Sequence, residues 1–121
     1  MADLAVIRKQ DLPPGARVIV QAGEREIGVF NVGGEIFAVR NRCPHQAGPV
    51  CEGGLFERVC AAVAPGGRIR EWIEDDGYVL ACPWHGWEFD IRSGGCLWNR
   101  ELRLRTYTVR EDEAGNIIVS G

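Results

Sequence analysis

The chain has 121 residues, of which 45% are apolar, a size and composition that suit one domain with a real core. A formal net charge of −3 argues against nucleic acid, which wants a basic stripe, and leaves a mildly acidic surface. The longest apolar run, VCAAVA at 59–64, falls far short of the ~20 residues of a membrane helix, and MADLAVIRKQDLPPG lacks the apolar stretch of a signal peptide, so a soluble cytoplasmic protein is expected.

In chain order the sequence reads as short extended segments separated by turns. RVIVQ (17–21) and EIGVFNV (26–32) are rich in β-branched residues. Gly33 and Gly34 make a two-residue hairpin turn into EIFAVRN (35–41). Residues 47–76, with AGPVCEGG, VAPGG and EDDG, read as irregular, and DDG (75–77) as a turn into the strand YVLAC (78–82). WEFDI (87–91) is a further strand, and SGG (93–95) turns the chain. RLRTYTVRE (103–111) alternates, and DEAGN (112–116) turns into IIVS (117–120). No long segment has helical periodicity, and 16 glycines with 6 prolines suit many turns. The fold class is all-β, in a single domain spanning 1–121.

Only two histidines are present, His45 and His85, and each lies within three residues of a cysteine that is followed by proline. The pairs are Cys43-x-His45 and Cys82-x-x-His85, with residues 46–81 between them. A single such pair is usually accidental. Two pairs that use every histidine in the chain point to a metal site, because thiolate and imidazole together suit zinc or iron–sulfur chemistry. Each pair follows a strand, and Pro44, Gly48, Pro49, Pro83 and Gly86 shape tight loops around it. Five cysteines make an odd count for a disulfide framework and fit a reducing compartment.

CPHQAGPV with CPWHGWEFD resembles the two halves of a Rieske [2Fe–2S] motif, over roughly residues 30–110. The resemblance implies an antiparallel β sandwich with a small inserted cluster-binding subdomain, about 41–98. It also implies one cluster, with Cys43 and Cys82 on one iron and His45 and His85 on the other. An oxidised cluster held by four thiolates is a dianion; two neutral imidazoles in place of two thiolates make it neutral and easier to reduce. High-potential members carry a cysteine where Trp84 stands and a serine where Trp87 stands. Cys51 lies too far along to serve as the missing bridge partner. With those donors absent, the resemblance implies a low-potential centre, near the bottom of the range that begins at about −150 mV.

Trp87 reads as packing, and Trp84 either as packing or as a face for a partner. Trp72 and Trp98 read as core or anchoring residues. Cys51, Cys60 and Cys96 read as buried thiols, and Asp90 as the cap of the turn before Ser93. NVGGE lacks the spacing of a phosphate loop. No proline follows Pro83 to cover the cluster, so Leu97 and Trp98 are expected in that place. The segment 55–76 exceeds the usual spacer and is expected to be a surface excursion.

Ring-hydroxylating oxygenases add a mononuclear iron that needs two further histidines and a carboxylate, which this chain does not have to spare. The expected role is therefore a one-electron carrier, a stand-alone Rieske ferredoxin between a ferredoxin reductase and a terminal oxygenase. Its contacts would be transient, below about 1,200 Å². The alternatives are a structural or regulatory Cys2His2 zinc module and a non-catalytic Rieske subunit of a larger oxidoreductase.

Overall fold

The computed structural model describes residues 3–44, 47–63, 66–67, 69–84, 86–99 and 101–121, with the backbone alone at 57–63 and 69–77. Among the described residues the strands are β1 (Asp3–Arg8), β2 (Arg17–Ala22), β3 (Arg25–Val32), β4 (Glu35–Arg40), β5 (Leu55–Val63), β6 (Ile69–Ala81), β7 (Glu88–Asp90), β8 (Thr106–Glu111) and β9 (Asn116–Ser120). They form a six-stranded sheet in the order β1-β9-β8-β4-β3-β2 and a three-stranded sheet in the order β5-β6-β7. Every pairing is antiparallel, so the all-β reading stands.

Strand β3 explains why the two halves of the molecule cohere. Its residues 27–31 are buried on both faces. Ile27 and Val29, with Ala38 of β4, join an apolar cluster that contains Ile7, Ile117 and Val119. Phe30, with Val39 of β4, joins a second cluster built from Leu80, Phe89, Ile91 and Leu104. Phe30 and Phe89 are fully enclosed, and burial of such a side chain contributes about 1.5–3 kcal/mol. Both Cys43 and Cys82 belong to this second cluster, so the loops that carry them are anchored in core. The β3–β4 turn is the expected two-residue one. Val32 pairs with Glu35, and Gly33 and Gly34 both have positive φ, which a hairpin turn of this twist requires.

Within the region 47–76 that was expected to be irregular, residues 55–63 and 69–76 belong to two paired strands, which corrects that expectation. β5 pairs with β6 from Leu55↔Leu80 to Val63↔Ile69. The DDG turn is also corrected. Residues 75–77 lie within β6, where the register slips between Glu57↔Tyr78 and Val59↔Ile73. The extra residues on β6 form a bulge, so a turn signal is absorbed without reversing the chain. β1 was not foreseen; its single buried residue, Ile7, leaves almost no sequence pattern. Residues 103–105 precede β8: Arg103 forms an isolated bridge with Gly95, the Leu104 N–H donates to the Gly94 carbonyl, and the Arg105 carbonyl accepts from the Arg40 N–H.

Candidate metal centre

The two cysteine loops have one backbone plan. The Cys43 N–H donates to the Gly48 carbonyl at 2.8 Å, and the Ala47 N–H donates back to the Cys43 carbonyl at 2.7 Å. The Cys82 N–H donates to the Trp87 carbonyl at 2.7 Å, and the Gly86 N–H donates to the Cys82 carbonyl at 3.1 Å. In each loop the cysteine is tied to the residues four and five places on. The residue four places on is left-handed in both, Ala47 at φ 58° and Gly86 at φ 69°. Alanine pays about 1–2 kcal/mol in that region, so the first loop holds its shape against a local cost.

The loops lie against each other. The Cys43 thiol lies beside the Cys82 thiol, close enough to perturb its ionisation, and both residues are only 1% exposed. A methyl on Gly48 would sit 3.0 Å from the Cys82 sulfur and from the Trp84 ring. A methyl on Gly53 would sit 1.7 Å from the Ala81 carbonyl oxygen and 3.1 Å from the Pro83 ring. Glycine at these places is what lets the first loop pass close over the second. A short 3-10 turn, Val50–Glu52, carries the first loop back toward β5. Arg17 of β2 secures it by donating to the carbonyls of Cys51 and Gly53 while its guanidinium lies 5.1 Å over the Phe30 ring. Asn41 bridges the same segment, accepting from the Cys51 N–H at 2.8 Å and donating to Glu26 at 3.0 Å.

The electrostatics separate the cysteines. Burial pushes the Cys82 thiol above its ordinary value, and contact with Cys43 adds to this. The backbone N–H of Trp84 opposes both by donating to the Cys82 sulfur, the kind of donor that stabilises an anionic sulfur ligand. Cys51 is different. Burial pushes it from 9.0 up to about 12, although the Gly28 backbone and Arg17 work the other way. Its thiol donates to the Val39 carbonyl at 3.6 Å. Cys51 is therefore a neutral packing residue, as expected from the sequence.

Its ionisation has a sign that can be measured. The folded thiol stays neutral while the unfolded one ionises above its ordinary value of 9.0. The stability it contributes is complete below that value and is lost as pH rises toward about 12. Urea unfolding should show native stability falling by at most about 1.4 kcal/mol per pH unit above that point. Cys51→Ala should remove that part of the slope. Equal slopes in the two proteins would show that Cys51 ionises in the fold.

Other expectations resolve as follows. His45 and His85 lie outside the described residues, as do the side chains of Cys60 and Trp72. Cys43, Cys51, Cys82 and Cys96 are buried free thiols. Asp90 caps its turn, accepting from the N–H groups of Arg92 and Ser93 at 2.8 and 3.0 Å. Trp87 packs against the core cluster as expected. Trp98 departs from the core reading: it is 56% exposed, and its ring meets Trp87 at 5.5 Å. Trp84 and Leu97 are exposed too. Sequence reasoning missed Arg17, Asn41 and Gly53, which hold the loops. CEGG at 51–54 was the one available signal, since a doubled glycine marks a close backbone approach.

Two buried thiols in contact, on matched loops, with a backbone N–H aimed at one sulfur, suit a sulfur-bridged iron centre. Comparison with known proteins agrees. The family model described as the Rieske [2Fe–2S] domain matches residues 3–108. The chain is 30% identical over 110 residues to the 3-phenylpropionate/cinnamic acid dioxygenase ferredoxin subunit of Escherichia coli K12, covering 90% of this chain and 84% of that one. It is 29% identical over 84 residues to the biphenyl dioxygenase ferredoxin subunit of Pseudomonas sp. KKS102, covering 69% of this chain but only 60% of that relative. The solved ferredoxin of carbazole 1,9a-dioxygenase from Nocardioides aromaticivorans IC177 superposes with a TM-score of 0.69 at 21% identity, over 99% of this chain and 98% of that one, and so shares the fold. The chain belongs to the Rieske [2Fe–2S] domain family, whose cofactor is a single [2Fe–2S] cluster.

Proposed function

We propose that this protein takes single electrons from a ferredoxin reductase and delivers them to a terminal oxygenase, and that Cys43, His45, Cys82 and His85 hold the cluster that stores them. The observation that carries this reading is the pair of touching, buried thiols on two loops of one backbone plan. The bound cluster supplies a one-electron couple. The chain's own residues prepare its place. Cys43 and Cys82 offer sulfur from within the core, out of reach of water. Trp84 stabilises anionic sulfur through its N–H. Cys51, held neutral, adds no further charge beside them.

The protein is an electron carrier and not a catalyst. Relatives that match it over most of its length are named as ferredoxin components of dioxygenase systems. A zinc module is disfavoured by the same family membership. We further infer that residues 1–121 are one Rieske domain with its ligand-bearing part at about 41–98, so calorimetry should show one cooperative transition. Among the described residues no helix is long and apolar enough to cross a membrane. The odd count of five cysteines, which does not suit a disulfide framework, supports the reading that the protein works in the cytoplasm, which cell fractionation would test.

The deciding experiment is anaerobic. The purified protein should be red-brown, should carry iron and acid-labile sulfide in equal amounts, and should bleach when NADH and a dioxygenase-system reductase are added. The midpoint should lie near −150 mV, at the low end for such centres. A value above about +150 mV would reject the low-potential reading. Colourless protein loaded with zinc would reject the carrier role. Migration in native extract only as part of a large complex would favour a fixed oxidoreductase subunit.

A further inference from the structure

A groove of about 450 Å³ opens beside the first cysteine loop, lined by Arg40, Arg42, Arg103 and Arg105 together with Cys43 and Ala47. The four arginines come from facing segments. β4 pairs with β8 at Ala38↔Tyr107 and Val39↔Thr106, and the Arg40 N–H continues that ladder by donating to the Arg105 carbonyl at 2.9 Å. Arg40 therefore lies across from Arg105, and Arg42 and Arg103 follow two residues further along each segment. Like charges set opposite each other cost stability. The fold does not offset that cost with ion pairs. Lys9, Arg92 and Arg110 have carboxylate partners, but among the described residues these four arginines have none. Arg103 is oriented by the Ser93 carbonyl at 2.9 Å, and Arg105 lies 5.3 Å over the Tyr107 ring, so their charges stay available. Glu24 and Glu26 bound the patch on its far side, in the neighbouring depression that Arg40 and Arg42 also line.

The local charge is thus opposite to that of the whole chain, which is −3. Position and chemistry narrow the occupant. The groove reaches Cys43, one of the proposed cluster ligands, and guanidinium groups bind carboxylates in a paired geometry. A nucleic acid, charged along its whole length, would meet repulsion from the acidic surface around the groove, whereas a protein can confine its carboxylates to a patch of the groove's size. We propose that this groove receives the carboxylates of an acidic redox-partner protein and sets its approach to the cluster. The proposal rests on the carrier reading and deepens it.

Two probe proteins test it on the cluster-loaded protein by anaerobic stopped-flow. The first is a reduced plant-type ferredoxin of acidic surface, which gives one electron to the oxidised protein without proton transfer. The second is oxidised basic cytochrome c, which takes one electron from the reduced protein. The rate with the acidic donor should fall about tenfold from low to high salt. The double variant Arg42→Glu with Arg105→Glu should slow it about tenfold at low salt and speed the reaction with cytochrome c. Its visible spectrum should be unchanged, the tenfold change should exceed what its measured drop in midpoint accounts for, and Arg110→Glu should alter neither rate. If electrons pass at rates indifferent to salt and to the double variant, the groove assignment falls and the carrier reading survives. If the loaded protein exchanges electrons with neither probe, the carrier reading falls. Tight binding of a DNA duplex that the double variant abolishes would overturn the choice of a protein partner.

Discussion

Cys82→Ser should give protein without visible absorption, without the reduced-state EPR signal and with almost no acid-labile sulfide. The argument starts from burial. Cys82 is 1% exposed and touches Cys43, so its sulfur has no solvent-side alternative. Serine fills nearly the same space but offers a hard oxygen that stays protonated at neutral pH, where the iron needs a soft anion. Changes that only support a metal ligand typically cost 10–100-fold in affinity, so loss of the ligand itself should exceed about 100-fold. Cys43→Ser should do the same. Cys51→Ser should keep its colour, because that thiol is neutral and donates to Val39. Far-UV circular dichroism separates ligand loss from unfolding. The cluster of Ile7, Ile27, Val29 and Ile117 contains no cysteine and should keep the six-stranded sheet folded. His85→Cys should lower the midpoint or lose the cluster, since a thiolate adds the negative charge that an imidazole avoids. A Cys82→Ser protein with undiminished colour and sulfide would end the ligand assignment.

The second large effect is expected at Gly53, a residue that donates no ligand. Its φ of −79° and ψ of 176° are open to any amino acid, so conformational strain is not the issue. Space is. A methyl there would stand 1.7 Å from the Ala81 carbonyl oxygen, about half a van der Waals contact. That oxygen belongs to backbone at the end of β6, one residue before Cys82, and cannot rotate away. Gly53→Ala must therefore push the two cysteine loops apart. Overpacking of this kind costs about 1–3 kcal/mol, and a backbone obstacle places it at the upper end. The apoprotein Tm should fall by about 10 °C, and cluster incorporation should drop as well. Gly54→Ala is the control, since a methyl there meets only the exposed Phe56 ring, which can swing aside. Equal melting of the two variants would mean that the loops do not depend on this close approach.

The sequence alone determined the all-β class, the Gly33–Gly34 hairpin, the Asp90 cap and the cysteine pairs, because each rests on a local pattern that a few neighbouring residues complete. It could not determine what depends on distant partners. β1 exists because β9 offers it an edge at the other end of the chain. The hairpin of β5 and β6 hides a turn signal in a bulge, because the pairing on either side outweighs the local preference. Gly53 matters only because Ala81 passes over it. The arginine groove follows the same rule. RNRC at 40–43 and RLR at 103–105 are ordinary as isolated strings. Only the β4–β8 ladder brings their charges together, and electrostatic energy depends on distances that the order of residues along a chain does not contain.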